Sequence, residues 1–386
     1  MESGFFDFSA ELKQLRQAGL YRQRRVVEGP QAINLQVDGR CLINFCSNDY
    51  LGLANHPALA AAFKQGADKY GVGSGASHLI SGHTHAHHAL EEELAEFTGR
   101  ERALLFSTGY MANLGIVSAL IDRGGRVFED RLNHASLLDG GLLSRAEFQR
   151  YQHNDLGDLQ HRLNQSTQKA LIVTDGVFSM DGDLAHLPGL AKLAERHQAA
   201  LMVDDAHGFG VLGAKGAGVA EHFALNQQQL PVLMATLGKA CGSFGAFVAG
   251  NQDLIEYLIQ KSRSYIYTTA MPAAVAEATR ASLQLIQTET WRRERLQQLI
   301  VYFRKSAAQQ NLKLMDSMTA IQPILVGDSH AVLLAGERLQ ALGFWVGAIR
   351  PPTVPKGSAR LRITLSAEHS FEHIDRLLEV LPEALS

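Results

Sequence analysis

Lys239 lies in the run Thr236-Leu-Gly-Lys-Ala-Cys-Gly-Ser-Phe-Gly, downstream of Asp204-Asp-Ala-His-Gly. A lysine that follows a short apolar strand and is backed by small residues can form an imine with an aldehyde cofactor. An acid at the end of an earlier strand, three residues before His207, can grip the far side of a heteroaromatic ring. Either feature alone is commonplace, since most lysines near glycine are solvated and most Asp-His neighbours cap turns. The flanking runs change the balance. Leu201-Met-Val ends in two acids and Pro231-Val-Leu-Met-Ala ends just before Thr236, and both read as buried strands of an α/β sheet, whose carboxyl ends carry ligands. Together they describe a site for pyridoxal phosphate.

Side chains alternate along a strand, so Asp204 and Asp205 cannot both enter one crevice. The offset to His207 assigns Asp204 to the cofactor and Asp205 to structure. Ser107-Thr-Gly-Tyr-Met-Ala-Asn follows a strand and precedes a helix, where backbone N–H groups could cradle a phosphate. Gly109 there permits close approach, Tyr110 borders ring or phosphate, and a simple capped turn is the plain alternative. Asp130-Arg-Leu-Asn-His puts His134 after another strand, where an imidazole could lie flat on a pyridine face. Gly71-Val-Gly-Ser-Gly-Ala-Ser lacks a preceding strand and the lysine of a phosphate-binding loop, so it reads as a loop near a ligand or partner subunit. His83-Thr-His-Ala-His-His has histidines at mixed spacing and no acid arranged as a further ligand. It reads as a loop and helix start, and no metal is expected.

The surrounding elements must hold these residues. With 386 residues, 46% hydrophobic content and 35 glycines, the chain can bury a large core and divide into two domains. From about Pro57 to Thr288 helical and strand patterns alternate, which argues a mainly parallel sheet covered on both sides. Ala103-Leu-Leu-Phe, Ala170-Leu-Ile-Val, Leu201-Met-Val and Val232-Leu-Met-Ala are the clearest strands. Leu187, Leu190, Leu193 and Ala194 share one face of a helix expected over Leu187 to Gln198. A single long helical pattern runs from Ala273 to Gln310, and Asp38-Gly39-Arg40 marks a hairpin. The expected organisation is an N-terminal arm over 1–55, a large α/β cofactor domain over 56–288 and a smaller α+β domain over 289–386.

Net charge of -3 gives no electrostatic case for nucleic acid. The opening residues are acidic, without the basic and apolar regions of a secretory signal. No uninterrupted apolar run approaches the ~20 residues of a membrane span. A soluble, cytoplasmic protein is expected. Cys41, Cys46 and Cys241 are odd in number and lack a Cys-x-x-Cys pair, so reduced thiols are expected.

Several segments carry a broader likeness: Asn44-Phe-Cys-Ser-Asn-Asp-Tyr-Leu-Gly-Leu, Gly73-Ser-Gly, Leu90-Glu-Glu-Glu-Leu-Ala, Asn133-His-Ala-Ser-Leu, Gly176-Val-Phe-Ser-Met-Asp-Gly-Asp and the Asp204 and Lys239 runs. With these the chain resembles the α-oxoamine synthases, fold-type I pyridoxal phosphate transferases. Ile349-Arg-Pro-Pro-Thr-Val-Pro with Arg360-Leu-Arg-Ile-Thr-Leu is similar to the oxononanoate-forming branch. The resemblance implies a homodimer with shared active sites, and L-alanine plus pimeloyl-CoA or pimeloyl-acyl carrier protein as substrates. By position it implies that Lys239 carries the cofactor, Asp204 faces the pyridine nitrogen, His207 and Ser179 approach the ring hydroxyl, and His134 stacks on the ring. Gly109, Tyr110 and Thr236 would hold the cofactor, with Thr268 or Thr269 reaching its phosphate from the other subunit. Arg362 would bind the amino-acid carboxylate, and Asn48, Arg22 and Thr353 would contact substrate. Tyr21-Arg-Gln-Arg-Arg departs from the family pattern and leaves open whether Arg22 or a neighbouring arginine serves.

The chemistry suits these residue types. Lys239, displaced by an incoming amino acid, is an amine able to remove a Cα proton. An ionised Asp204 keeps the pyridine nitrogen protonated, and the ring then acts as an electron sink. The planar Arg362 guanidinium can fix a carboxylate with two hydrogen bonds. Two alternatives share the fold: another α-oxoamine synthase, such as 2-amino-3-ketobutyrate ligase, and a non-catalytic regulatory subunit. Retention of Lys239, Asp204, His134 and His207 together argues against the second, because a scaffold needs none of them.

Overall fold

The computed structural model describes residues 8–386, which form two compact units. The larger comprises residues 49–179 and 183–294. Its centre is a seven-stranded sheet, in the spatial order Arg102–Phe106, Ala246–Gly250, Val232–Thr236, Ala200–Asp204, Lys169–Asp175, Gly125–Asp130, Glu147–Tyr151. Ala246–Gly250 runs antiparallel to both of its neighbours, and the other strand pairs are parallel. The central strands are buried along nearly their whole length. Their unbroken Val, Leu, Ile and Met runs therefore fit a sheet covered on both faces. Glu147–Tyr151, at the edge, has only Tyr151 buried, and its mixed polarity hides it among the sequence's apolar signals.

Helices close the faces. Leu187–Arg196 starts at His186, whose side chain accepts the Gly189 N–H at 3.2 Å. It buries Leu187, Leu190, Ala191, Leu193 and Ala194, each large aliphatic contributing about 1.5–3 kcal/mol. Gly109–Leu120 packs Ala112, Ile116 and Val117 into a core with Phe106, Val127, Val173, Met202 and Met234. The helical pattern from Ala273 onward is two helices, Ala273–Thr288 and Trp291–Gln309. Glu289 leaves helical geometry at φ -99°, ψ 59°, and its carboxylate accepts from Arg292 Nε at 2.7 Å. With neither proline nor glycine at the break, the sequence carries no signal for it.

Among the described residues the smaller unit comprises 8–48, 180–182 and 295–386. Its first sheet pairs Val27–Glu28, Asn34–Val37, Arg40–Asn44 and Phe344–Trp345. Asp38 and Gly39 turn the hairpin with φ of 49° and 77°, the left-handed values that an Asp-Gly pair supplies. Its second sheet is antiparallel, Ile321–Gly327, Ala359–Thr364 and Gly347–Ile349. Helices Ser329–Ala341 and Phe371–Leu385 pack on each other. Among the described residues no helix is long and apolar enough to cross a membrane.

Candidate active site

Six strands of the large unit run in the same direction and end on one edge of the sheet, at Phe106, Asp130, Tyr151, Asp175, Asp204 and Thr236. The polar residues that follow them gather there, as open α/β sheets require. Lys239, three residues past Thr236, places Nζ 2.8 Å from His207 Nε2. The other ring nitrogen of His207, Nδ1, lies 2.5 Å from the Tyr50 hydroxyl. His207 and Tyr50 are buried, so this chain admits two proton arrangements. An ammonium on Lys239 donates to Nε2 while Nδ1–H donates to the tyrosine oxygen. Alternatively the tyrosine donates to Nδ1 and Nε2–H donates to a neutral amine. Either way the imidazole fixes the amine's position.

Asp204 is buried and doubly held. Oδ1 accepts the Ala206 N–H at 2.9 Å, and Oδ2 accepts Asn113 Nδ2–H at 2.7 Å. The second hydrogen of that amide goes to Ser136 Oγ at 2.9 Å. Ser136, accepting there, donates its own hydrogen to His134 Nδ1 at 2.8 Å. The same Nδ1 faces the Ser136 N–H at 3.3 Å, so His134 caps the helix Ala135–Ser144. Both bonds require an unprotonated Nδ1, which puts the neutral ring's hydrogen on Nε2. Burial pushes the His134 pKa down, Asp204 pulls it back in part and Lys239 lowers it further. A chain His134–Ser136–Asn113–Asp204 thus ties an uncharged imidazole to the carboxylate.

Two further acids frame it. Asp175 pairs in register with Asp204 on the neighbouring strand and accepts the His134 N–H at 2.6 Å. Burial, and then the adjacent Asp204, hold its carboxyl well above the usual range. Asp205 points to the other side, where Oδ2 accepts the Val219 N–H at 2.8 Å and caps the short helix Val219–His222. Burial raises its pKa also.

Thr108 caps the helix Gly109–Leu120, its hydroxyl accepting the Met111 N–H at 3.1 Å. A Cβ at Gly109 would stand 2.7 Å from Thr236 Cγ2, so glycine lets this helix N-terminus close onto the end of the Val232–Thr236 strand. Tyr110 presents its ring edge-on to His134, at 6.4 Å between centroids, and bonds Asp139 through its hydroxyl. Thr236 Oγ1 lies 3.4 Å from the Ala206 carbonyl. Ser179 is half-buried beyond the Lys169–Asp175 strand. Thr268 and Thr269 sit apart from Lys239 in sequence, on the loop after helix Arg263–Ile266, which the Ala270 N–H fastens to Ala76.

In the smaller unit, Arg362 is buried, with Nη2 donating to Asn48 Oδ1 at 3.1 Å and Nη1 to Thr364 Oγ1 at 3.0 Å. Arg22 Nη2 donates to Thr353 Oγ1 at 3.3 Å. These two residues line a cavity of about 220 Å³ with Arg350, whose guanidinium is held by the Gly19 and Tyr21 carbonyls. A larger cavity of about 640 Å³, between the Leu187–Arg196 helix and the Phe223–Gln229 segment, contains none of these residues. Sequence reasoning did not single out Tyr50, Asn113, Ser136, Asp175 or Arg350. Tyr50, Asn113, Ser136 and Arg350 all stand within the motifs that mark the family or the cofactor site, but their contacts with residues distant in the chain leave no local pattern.

A protein-family model described as aminotransferase class I and II matches residues 40–381. An 8-amino-7-oxononanoate synthase from Nitrosococcus oceani is 62% identical over 376 residues, covering 97% of this chain and all of the relative. Among solved structures, a serine palmitoyltransferase with a pyridoxal phosphate internal aldimine is 32% identical with a TM-score of 0.93, covering 99% of this chain and 97% of its own. An 8-amino-7-oxononanoate synthase from Francisella tularensis is 35% identical with a TM-score of 0.79, covering 89% and 97%. The α/β architecture is that of fold-type I pyridoxal phosphate enzymes. By sequence over nearly its full length and by fold, this chain belongs to the class I and II aminotransferase family of pyridoxal-phosphate-dependent enzymes and, within it, to the 8-amino-7-oxononanoate synthases, which are C-acyltransferases.

Proposed function

We propose that the chain condenses L-alanine with a pimeloyl thioester on pyridoxal phosphate attached at Lys239, releasing thiol and carbon dioxide and forming 8-amino-7-oxononanoate for biotin biosynthesis. One observation carries the reading: Lys239 Nζ rests 2.8 Å from a buried imidazole, on the strand-end edge that also holds the buried carboxylate of Asp204. The donor set fits the cofactor. It offers an amine for an aldehyde, an acceptor for a pyridinium N–H, a neutral aromatic ring at His134, and a capped helix N-terminus at Gly109 for a phosphate. When bound, the cofactor supplies an aldehyde for amine exchange and a ring that accepts the electron pair left by a departing proton or carbon dioxide.

The chain's own residues do the rest. Lys239 Nζ takes the alanine Cα proton and later returns one to the product carbon, with His207 and Tyr50 fixing where the amine points. Asp204, held on both oxygens by the Ala206 N–H and Asn113, would be the acceptor for the pyridine nitrogen's proton. His134 offers a ring face whose charge is suppressed by burial, so it can stack without repelling a cationic ring. Gly109, Tyr110 and Thr236 hold the phosphate end, Ser179 and His207 the ring hydroxyl. Thr268 or Thr269 serves the cofactor of a second copy, in a homodimer with shared sites. Arg362 takes the alanine carboxylate, with Asn48 orienting the guanidinium. Arg22, Thr353 and Arg350 line a basic cavity suited to an anionic part of the acyl donor.

The test is direct. Purified protein loaded with pyridoxal 5'-phosphate is reduced with borohydride and the modified peptide mapped, then alanine, glycine and serine are assayed with pimeloyl-CoA and pimeloyl-acyl carrier protein by product mass. The expected results are a Lys239 adduct and an alanine-derived oxononanoate. An adduct on another lysine, or product from glycine or serine alone, would overturn the reading.

A further inference from the structure

The histidine-rich segment that opens the helix His85–Thr98 plays no part in the proposed chemistry. Glu91, Glu92 and Glu93 follow it in sequence and read as an ordinary helix surface, but Glu91 is buried beside the histidines. His88 and Glu91 are three residues apart on the helix and share a face. His83, just before the helix, turns its Nε2 to 3.9 Å from Glu91 Oε2. One ligand atom from each of His83, His88 and Glu91 lies within 4.8 Å of the other two. We propose that these three side chains form a binding site for a divalent transition-metal ion of the zinc, nickel or cobalt type.

The 3.9 Å gap is too long for a hydrogen bond. Metal–nitrogen and metal–oxygen bonds of about 2.0–2.2 Å put two ligands of one ion roughly 3.3–4 Å apart, which is this gap. Glu91 is anchored for the role. Its Oε1 accepts the Leu105 N–H at 2.9 Å, and the carboxylate is buried. A cation on Oε2 therefore compensates a charge that burial otherwise penalises. His83 Nδ1 lies 2.9 Å from His78 Nδ1, and like nitrogens bond only when one carries the proton. When His83 is the donor, its Nε2 lone pair faces Glu91, so His78 acts as the outer partner that sets a ligating tautomer. His78 is itself buried and stacked on Tyr265, with ring centroids 5.1 Å apart.

The neighbouring trio His78, His83 and His87 is equally tight but is not a ligand set. His87 Nδ1 accepts the Thr84 N–H at 3.0 Å, and its Nε2–H donates to the Met271 carbonyl at 2.7 Å. Both nitrogens are committed, and His87 is structural. His88 is the opposite case, with a side chain 61% exposed and Nε2 3.4 Å from Glu92 Oε1. It provides an entry path, a ring able to turn Nδ1 to the ion while Glu92 holds Nε2, and room for water as a fourth ligand. Two imidazoles and one carboxylate select zinc, nickel or cobalt over magnesium or calcium.

The test uses untagged, metal-stripped holoenzyme titrated with Zn²⁺ and with Co²⁺, following heat and the visible cobalt bands. One ion per chain is expected, with His83→Leu and His88→Ala each weakening binding by about 10–100-fold while the absorbance of bound pyridoxal phosphate is retained. His88 is exposed, so His88→Ala reports on the ion even if His83→Leu unfolds. No saturable binding, or equal affinity in wild type and His88→Ala, would overturn the site.

Discussion

Asn113→Ala removes the amide that donates to Asp204 Oδ2 at 2.7 Å, and leaves Asp204 itself in place. A buried hydrogen bond to a charged acceptor contributes about 1.5–3 kcal/mol. If that stabilisation is realised when Asp204 opposes a pyridinium nitrogen, kcat falls roughly 10–150-fold. The alanine KM, which the proposed carboxylate contact of Arg362 would set, should stay near its wild-type value. The same substitution frees Ser136 Oγ, and with it the bond that keeps His134 Nδ1 unprotonated, so the acid limb of the rate profile moves as well. The assay is steady-state turnover of alanine and pimeloyl thioester across pH, beside thermal melting and the cofactor spectrum. A double-mutant cycle with Asp204→Asn separates mechanism from folding: an Asn113 that works through Asp204 adds almost nothing once the carboxylate is gone. Fully additive losses, or a lowered melting point with kcat intact, would show Asn113 to be only a packing residue.

Three other perturbations follow from the geometry. Burial opposes a charge on His153, but bonds to Asp130 and Asp183, each at 2.9 Å, outweigh it and raise the pKa from 6.5 to about 9. A raised folded-state value stabilises fully below pH 6.5 and the gain is lost as pH climbs to 9, up to about 3 kcal/mol; His153→Gln should flatten the denaturant-measured stability across that window, and an unchanged slope would refute the linkage. Arg362→Lys replaces a two-pronged donor with a point charge, so the alanine KM should rise about 10–100-fold with a smaller change in kcat, and an unaltered KM in initial-rate assays would remove Arg362 from carboxylate binding. Gly109→Ala sets a methyl 2.7 Å from Thr236 Cγ2, overpacking worth about 1–3 kcal/mol; cofactor affinity measured by fluorescence should fall about tenfold and recover in Gly109→Ala/Thr236→Ser, which deletes the clashing methyl.

The strands were legible because burial on both faces leaves an unbroken apolar signal, as in Lys169–Asp175 and Val232–Thr236. The Asp38-Gly39 hairpin was legible because left-handed backbone selects its residues. Glu147–Tyr151 was not, since an edge strand with one buried residue needs no apolar run. The break at Glu289 was not, because a side-chain bond to Arg292 replaces the glycine or proline that would have announced it. Glu91 reads in sequence as part of an ordinary helix surface, and its burial 3.9 Å from His83 arises only once the helix winds and packs.

The site divides along the same line. Lys239, His207 and Asp204 follow strands, and chemistry restricts their types, so position and composition agree locally. Their supports are chosen by distance in space. Tyr50 meets His207 across 157 residues and Asn113 meets Asp204 across 91, and tyrosine or asparagine elsewhere in the chain has the same local context. Alternation along a strand separates Asp204 from Asp205, yet it says nothing of Asp175, which becomes a neighbour only through strand register. That register has an electrostatic consequence. Two adjacent buried carboxylates cannot both ionise cheaply, and Asp175 is driven upward by its burial and then by Asp204, although the His134 N–H at 2.6 Å opposes the shift. Asp204 is the one with donors aimed at both of its oxygens. Asp175→Asn keeps the shape and removes no charge the site relies on, so turnover near neutral pH should stay within a few-fold of wild type. Asp204→Asn, an equally small change one strand away, should abolish nearly all of it. Equal losses in the two variants would mean that the charge is shared, and the division of labour between these strands would fall.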